Sequence, residues 1–73
     1  MRGDVSDQDI LDAIDSLRAR QGYVPSFREI GKAVGMSSTA AIDYRLHKLR
    51  DEGRLEWVDG KARTIRVVRE VPA

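Results

Sequence analysis

Ser38-Thr39-Ala40-Ala41-Ile42-Asp43-Tyr44 opens a helical stretch with small hydroxyl and methyl side chains ahead of any large one. Two explanations suit such a run. Ser and Thr cap helices and Ala builds them, which needs no function at all. A helix that must approach a large rigid surface needs the same residues, because its backbone comes close to what it reads. In a DNA major groove, about 12 Å wide, short side chains on the first turns reach the donors and acceptors of base edges. On a helical wheel Ile42, Leu46 and Leu49 share the inner side. Ser38, Thr39, Ala40, Ala41, Asp43 and Tyr44 make up the exposed face of the first half. Alone, the run favours plain capping. The glycine turn before it and the basic segment after it reverse that weighting.

Basic side chains lie around this stretch in positions suited to phosphate oxygens, which fix register without reading sequence. They are Arg28, Arg45, Lys48, Lys61 and Arg63. Ser26 joins them, because a helix start can offer both its cap and its backbone N–H groups to an anion. Asp43 is the awkward member. Facing DNA it must accept from cytosine N4, or else pair with Arg45 or Lys48. His47 has no partner visible in the sequence and reads as a solvated helix residue, and Trp57 alternates in phase with Leu55 and reads as core.

No catalytic constellation is present. Ser6, Ser16, Ser26, Ser37 and Ser38 fall at caps, turns or helix surface, and Lys32, Lys48 and Lys61 read as exposed rather than desolvated partners of a nucleophile. The absence of cysteine removes disulfides and thiolate metal sites, and one histidine cannot hold a metal alone. No enzyme activity, cofactor, metal or small-molecule ligand is expected.

The elements that must position these residues fit a single domain over residues 1–73. A chain of this size buries only about 60% of its unfolded surface, so its core is thin. No apolar run approaches the roughly 18 residues of a membrane span, and a soluble cytoplasmic chain is expected. The net charge of +1 hides an uneven distribution: residues 1–15 carry −4 and residues 16–73 carry +5. A basic surface beside an acidic first helix suits a modest polyanion binder.

Ser6-Asp7-Gln8-Asp9 resembles a capping box, and Ile10, Leu11, Ala13, Ile14 and Leu17 recur at spacings of three and four. They predict a helix of about 14 residues that stops at Gly22. Ser26-Phe27-Arg28-Glu29 is a second capping box, opening a short helix with Phe27, Ile30, Ala33 and Val34 inward and Gly35 as its left-handed stop. Met36-Ser37 make the turn. Ser38 caps a third helix running to about Glu52 and stopped by Gly53. Beyond it the period changes to two: Leu55 and Trp57, then Asp59-Gly60 as a tight turn, then Ile65 and Val67. That is a hairpin with Lys61 and Arg63 at its tip, its apolar face (Leu55, Trp57, Ile65, Val67) laid on the helices. The fold class is mostly α with a small β-hairpin, a winged helix-turn-helix.

At this point the chain resembles the N-terminal DNA-binding domain of LexA-type (SOS) repressors. The resemblance rests on Gly22-Tyr23-Val24-Pro25-Ser26-Phe27-Arg28-Glu29-Ile30, on Ala33-Val34-Gly35-Met36 with Ser38, and on Leu46, Leu49 and Gly53. It continues through Leu55-Glu56-Trp57-Val58, Gly60 and Arg63-Thr64-Ile65-Arg66-Val67, so that it spans roughly residues 7–69. It implies that the third helix, about 38–52, reads base edges through Ser38, Ala40, Ala41, Asp43 and Tyr44. Ala40 stands where the family often has Asn or Ser, and Tyr44 where Glu or Gly is usual, so the operator should differ from the family's well-known sites. The family also carries a serine-lysine peptidase domain after this one. The present stretch is then the N-terminal domain of a longer repressor, or a naturally short, phage-type regulator. The expected partner is double-stranded DNA, as a palindromic operator engaged by a homodimer, in a bacterium or a phage-infected host. The rival reading is a winged helix that grips a protein, as an antirepressor or decoy would, through an apolar patch for which Val58, Val68 and Val71 are the candidates.

Overall fold

The computed structural model describes residues 5–69. Helix α1 spans Asp7–Gln21, α2 Phe27–Ala33 and α3 Thr39–Asp51; strands β1 (Leu55–Glu56) and β2 (Arg66–Val67) follow. Each helix begins where a side chain satisfies an otherwise orphaned backbone N–H. Ser6 accepts from the Asp9 N–H at 3.0 Å while the Asp9 carboxylate takes the Ser6 N–H, so aspartate completes the box as glutamate would. Ser26 and Glu29 repeat the arrangement at α2. Ser38 accepts from the Ala41 N–H at 3.2 Å, with no reciprocal acid, since Ala41 stands at the position a capping box would fill.

The two ends that flank the turn and the wing close alike. At α2 the Met36 N–H reaches the Gly31 carbonyl and the Gly35 N–H reaches Lys32; at α3 the Arg54 N–H reaches Leu49 and the Gly53 N–H reaches Arg50. Both are Schellman closures, which need a residue at positive φ. Gly35 (φ 80°) and Gly53 (φ 78°) supply it.

Ile10, Leu11, Ile14, Ile30, Ile42, Leu46, Leu49, Leu55 and Ile65 form the core, with no polar or charged residue buried among the described residues. Each contributes roughly 1.5–3 kcal/mol on full burial, most of it offset by conformational entropy, so one truncated member removes a large part of the net stability. Phe27, Val34, Trp57 and Val67 are partly buried against this cluster, whereas Ala33, expected inward, is exposed. Gly31 is buried inside α2, where a Cβ would stand 3.2 Å from Ile42 Cγ2. Glycine there sets how closely α2 and α3 approach.

The wing differs from the expected hairpin. The strands are antiparallel, with Leu55 opposite Val67 and Glu56 opposite Arg66, but regular pairing covers only these two pairs. Asp59-Gly60 does turn, with the Lys61 N–H on the Val58 carbonyl at 3.1 Å. The return is made by the Thr64 hydroxyl in place of a strand ladder: it accepts from the Val58 N–H at 2.9 Å and donates to the Lys61 carbonyl at 3.1 Å. Arg63 meanwhile adopts φ 61°, the one non-glycine residue at positive φ among those described. A side chain competing with the backbone for hydrogen bonds, with a left-handed residue beside it, shortens the ladder. The expected apolar face stands: Leu55 and Ile65 are buried, and Trp57 and Val67 pack on the core. Among the described residues no helix is long and apolar enough to cross a membrane.

Candidate nucleic-acid interface

Ile42, Leu46 and Leu49 pin α3 by its inner side, leaving Ser38, Thr39, Ala40, Asp43 and Tyr44 exposed and Ala41 half-buried. Tyr44 is 67% exposed, the most open of the large hydrophobic side chains among the described residues. The six expected base-reading residues therefore share the outer surface of the first half of α3. His47, read as solvated, is instead half-buried. Its Nδ1 lies 2.9 Å from the Asp43 carbonyl oxygen and 3.5 Å from the Asp43 carboxylate, and its ring meets Trp57 edge-on at 5.1 Å. A carbonyl oxygen only accepts, so this contact is a hydrogen bond in the tautomer that carries the proton on Nδ1. Asp43 thus has a partner in the free protein, although neither Arg45 nor Lys48.

A cleft between α2 and α3 is lined by Phe27, Arg28, Thr39, Ala40 and Asp43. A second, between the start of α2 and the wing, is lined by Ser26, Arg28, Trp57, Lys61 and Arg63 among others. Arg28 borders both, which places it between the outer face of α3 and the wing. Trp57 fixes the wing to this layer: Phe27 meets it edge-on at 4.9 Å, and the Arg50 guanidinium lies 4.4 Å over its ring while also donating to Asp59 at 2.9 Å. The Arg50 bond holds the Asp59 carboxyl below its ordinary value.

The expected phosphate contacts separate by what they already hold. No side-chain hydrogen bond or ion pair occupies Arg28 or Lys61 among the described residues. Lys48 faces Glu52 at 3.6 Å, an exposed pair that water and phosphate readily displace. Arg45 is engaged internally: its Nη2 donates to the Val5 carbonyl at 2.8 Å and to Asp7 at 3.0 Å, and that bond lowers the Asp7 carboxyl. Arg63 is engaged as well. Its two Nη groups fork onto the Glu29 carboxylate at 2.9 and 3.1 Å, and Nη1 also donates to the Val24 carbonyl at 3.1 Å. Its guanidinium lies 5.0 Å over the Tyr23 ring. With Arg63 and the Ser26 N–H both on it, Glu29 is pulled down to about 2. The Ser26 hydroxyl accepts from the Glu29 N–H at 3.2 Å, which leaves its own proton free to donate.

Sequence reasoning missed Gly31, Glu29 as the wing's partner, and Asp7 as the partner of Arg45. A lone glycine within a helical pattern was a usable signal for the first. The other two pair residues 34 and 38 positions apart and leave no periodic trace. Of the valines proposed as an apolar patch, Val58 and Val68 are exposed, at 52% and 37%; Val71 lies outside the described residues.

A family model described as the LexA DNA binding domain matches residues 5–64. The LexA repressor of Bifidobacterium adolescentis is 42% identical over 59 residues, covering 81% of this chain and 23% of that protein. The transcription regulator LexA of Synechocystis is 35% identical over 65 residues (89% and 32%), and the LexA repressor of Bacillus thuringiensis 40% over 63 residues (86% and 31%). The chain thus spans between 23% and 32% of the length of these relatives. Three capped helices, a wing bound to them through Trp57, and a match running through the helices and into the wing have one common account: the chain belongs to the LexA DNA-binding domain family.

Proposed function

We propose that this domain binds double-stranded DNA in a sequence-specific manner and acts in transcriptional repression, with α3 in the major groove and the wing along the phosphate backbone. The observation that carries this reading is the outer face of α3, exposed over its first turns, with the uncommitted Arg28 lining the cleft beside it and the uncommitted Lys61 lining the neighbouring cleft that Arg28 shares with the wing. Ser38, Thr39, Ala40, Ala41, Asp43 and Tyr44 are assigned to base edges. Arg28, Lys48 and Lys61, with the Ser26 hydroxyl, are assigned to phosphates. Tyr44 offers an aromatic edge to a thymine methyl or a sugar, and Asp43 an acceptor to cytosine N4 at the expense of its pairing with His47.

A single module of this size buries roughly 600–1,000 Å² on DNA, too little for fine discrimination. Two copies on an inverted repeat supply the rest, and occupancy of the site then excludes polymerase. The test is selection of random duplexes at near-physiological salt, followed by sequencing of the recovered pool. An enriched inverted repeat supports the reading and reports half-site spacing. A single half-site would replace the dimer by a monomeric reader. Binding without enrichment, lost at moderate salt, would sink sequence-specific recognition and favour a protein partner.

A further inference from the structure

Arg63 occupies a costly backbone position for a residue that only offers charge. A non-glycine residue at φ 61° lies in the left-handed region that L side chains rarely adopt, and it persists where the surroundings over-determine it. Here the surroundings do. The guanidinium forks onto both oxygens of Glu29, donates to the Val24 carbonyl and lies over Tyr23. Glu29 is itself held in place, because its Oε1 also accepts the Ser26 N–H at 2.9 Å. The capping box that starts α2 is therefore also the socket into which the wing is plugged. A point charge would not need that geometry; only a planar fork fills it.

Resting on the DNA-binding reading above, we infer that Arg63 is a positioning residue for duplex binding: it plugs the wing into the Glu29 socket, and so sets the distance between Lys61 and Arg28, without itself touching phosphate. Lys61 and Arg28 border one cleft but come from different elements, and regular strand pairing ends at Glu56 and Arg66. Trp57 and Asp59 anchor the outgoing limb of the wing to Phe27 and Arg50, and on the returning limb the Arg63 fork is the bond to α2. With the plug in place both cations meet the backbone preordered. Without it, the tip must be ordered at the moment of binding.

Arg63→Lys decides the matter, since it keeps the charge and most of the reach but loses the fork. On this inference Arg63→Lys and Arg63→Ala weaken duplex binding alike, by about threefold to tenfold, the magnitude of ordering one or two side chains on association. In the free protein, the backbone order parameters of residues 61–64 fall from about 0.85 toward 0.6 in both variants. They fall also in Glu29→Gln, whose carboxamide can still complete the cap. Two results would overturn it. One is wild-type affinity in Arg63→Lys beside a loss of about one released ion from the salt slope in Arg63→Ala, the mark of a direct phosphate contact. The other is a wing as rigid in all three variants as in the wild type. If the wild-type domain bound no duplex even at low salt, the DNA-binding reading itself would fall. The order parameters would then still decide whether Arg63 holds the wing.

Discussion

Gly31 in α2 and Ile42 in α3 stand so close that a methyl group on the glycine would lie 3.2 Å from Ile42 Cγ2. Ile42 is 1% exposed, a core side chain that would have to give by a few tenths of an ångström to admit the methyl. Gly31→Ala adds helix propensity, which favours folding by up to about 1 kcal/mol, but it overpacks the contact at a cost of about 1–3 kcal/mol. The second effect is larger. We expect a net loss near 1 kcal/mol and a fall in Tm of roughly 4–8 °C, read by thermal unfolding. A variant as stable as the wild type would mean that the helices part easily.

Lys61→Ala and Arg28→Ala should each weaken binding to all duplexes alike and flatten the salt dependence by about one ion. Fluorescence-anisotropy titrations of one unrelated duplex across several salt concentrations measure this. A sequence-dependent loss would move the residue into the base-reading group.

Arg45→Ala should behave in the opposite way. Its side chain joins the Val5 carbonyl and Asp7 at the start of α1, so its removal costs about 1 kcal/mol of stability and leaves the salt slope as it was. Tm and salt slope measured on one preparation separate the two roles.

Tyr44→Ala and Ala40→Asn should change which bases are preferred, the first by removing an apolar contact and the second by supplying a bidentate partner for adenine. Repeating the duplex selection on each variant shows this as an altered logo at one or two positions per half-site. An equal loss on every sequence would place the reading surface elsewhere.

Acid should loosen the domain through carboxylates held low. Glu29 has a folded value of about 2 against an ordinary 4.5. Its contribution to stability is complete above the unfolded value and is lost as pH falls through that interval. Asp7 and Asp59, both lowered by arginine partners, act in the same direction. Denaturant midpoints measured from pH 6 downward should fall, and fall less in Glu29→Gln.

The helices were legible because their signals are local. Two capping boxes, Ser38, the glycine stops and the Ile42/Leu46/Leu49 stripe lie within a few residues of what they control, and each appears where periodicity put it. The wing was legible as two alternating runs and a turn, but not in length. Thr64 reads as an ordinary strand residue until its hydroxyl is seen replacing the ladder. The phosphate group was the least legible, since a cation's type says nothing about whether an acid far along the chain already holds it. Arg28 and Arg63 look equivalent in the sequence; Glu29 makes them different.

The Arg45 bond to the Val5 carbonyl has a practical side. Val5 itself lies within an arginine's length of the flank of α3. At the other described end, the Arg69 side chain pairs with Asp15 of α1. An affinity tag or fluorophore at the first end would crowd the groove-facing helix and lower apparent affinity. The same label joined beyond Arg69, which is held against α1, is expected to lower affinity less, which a titration of both labelled forms would measure. Binding assays on this chain are best run with the label at the carboxyl end.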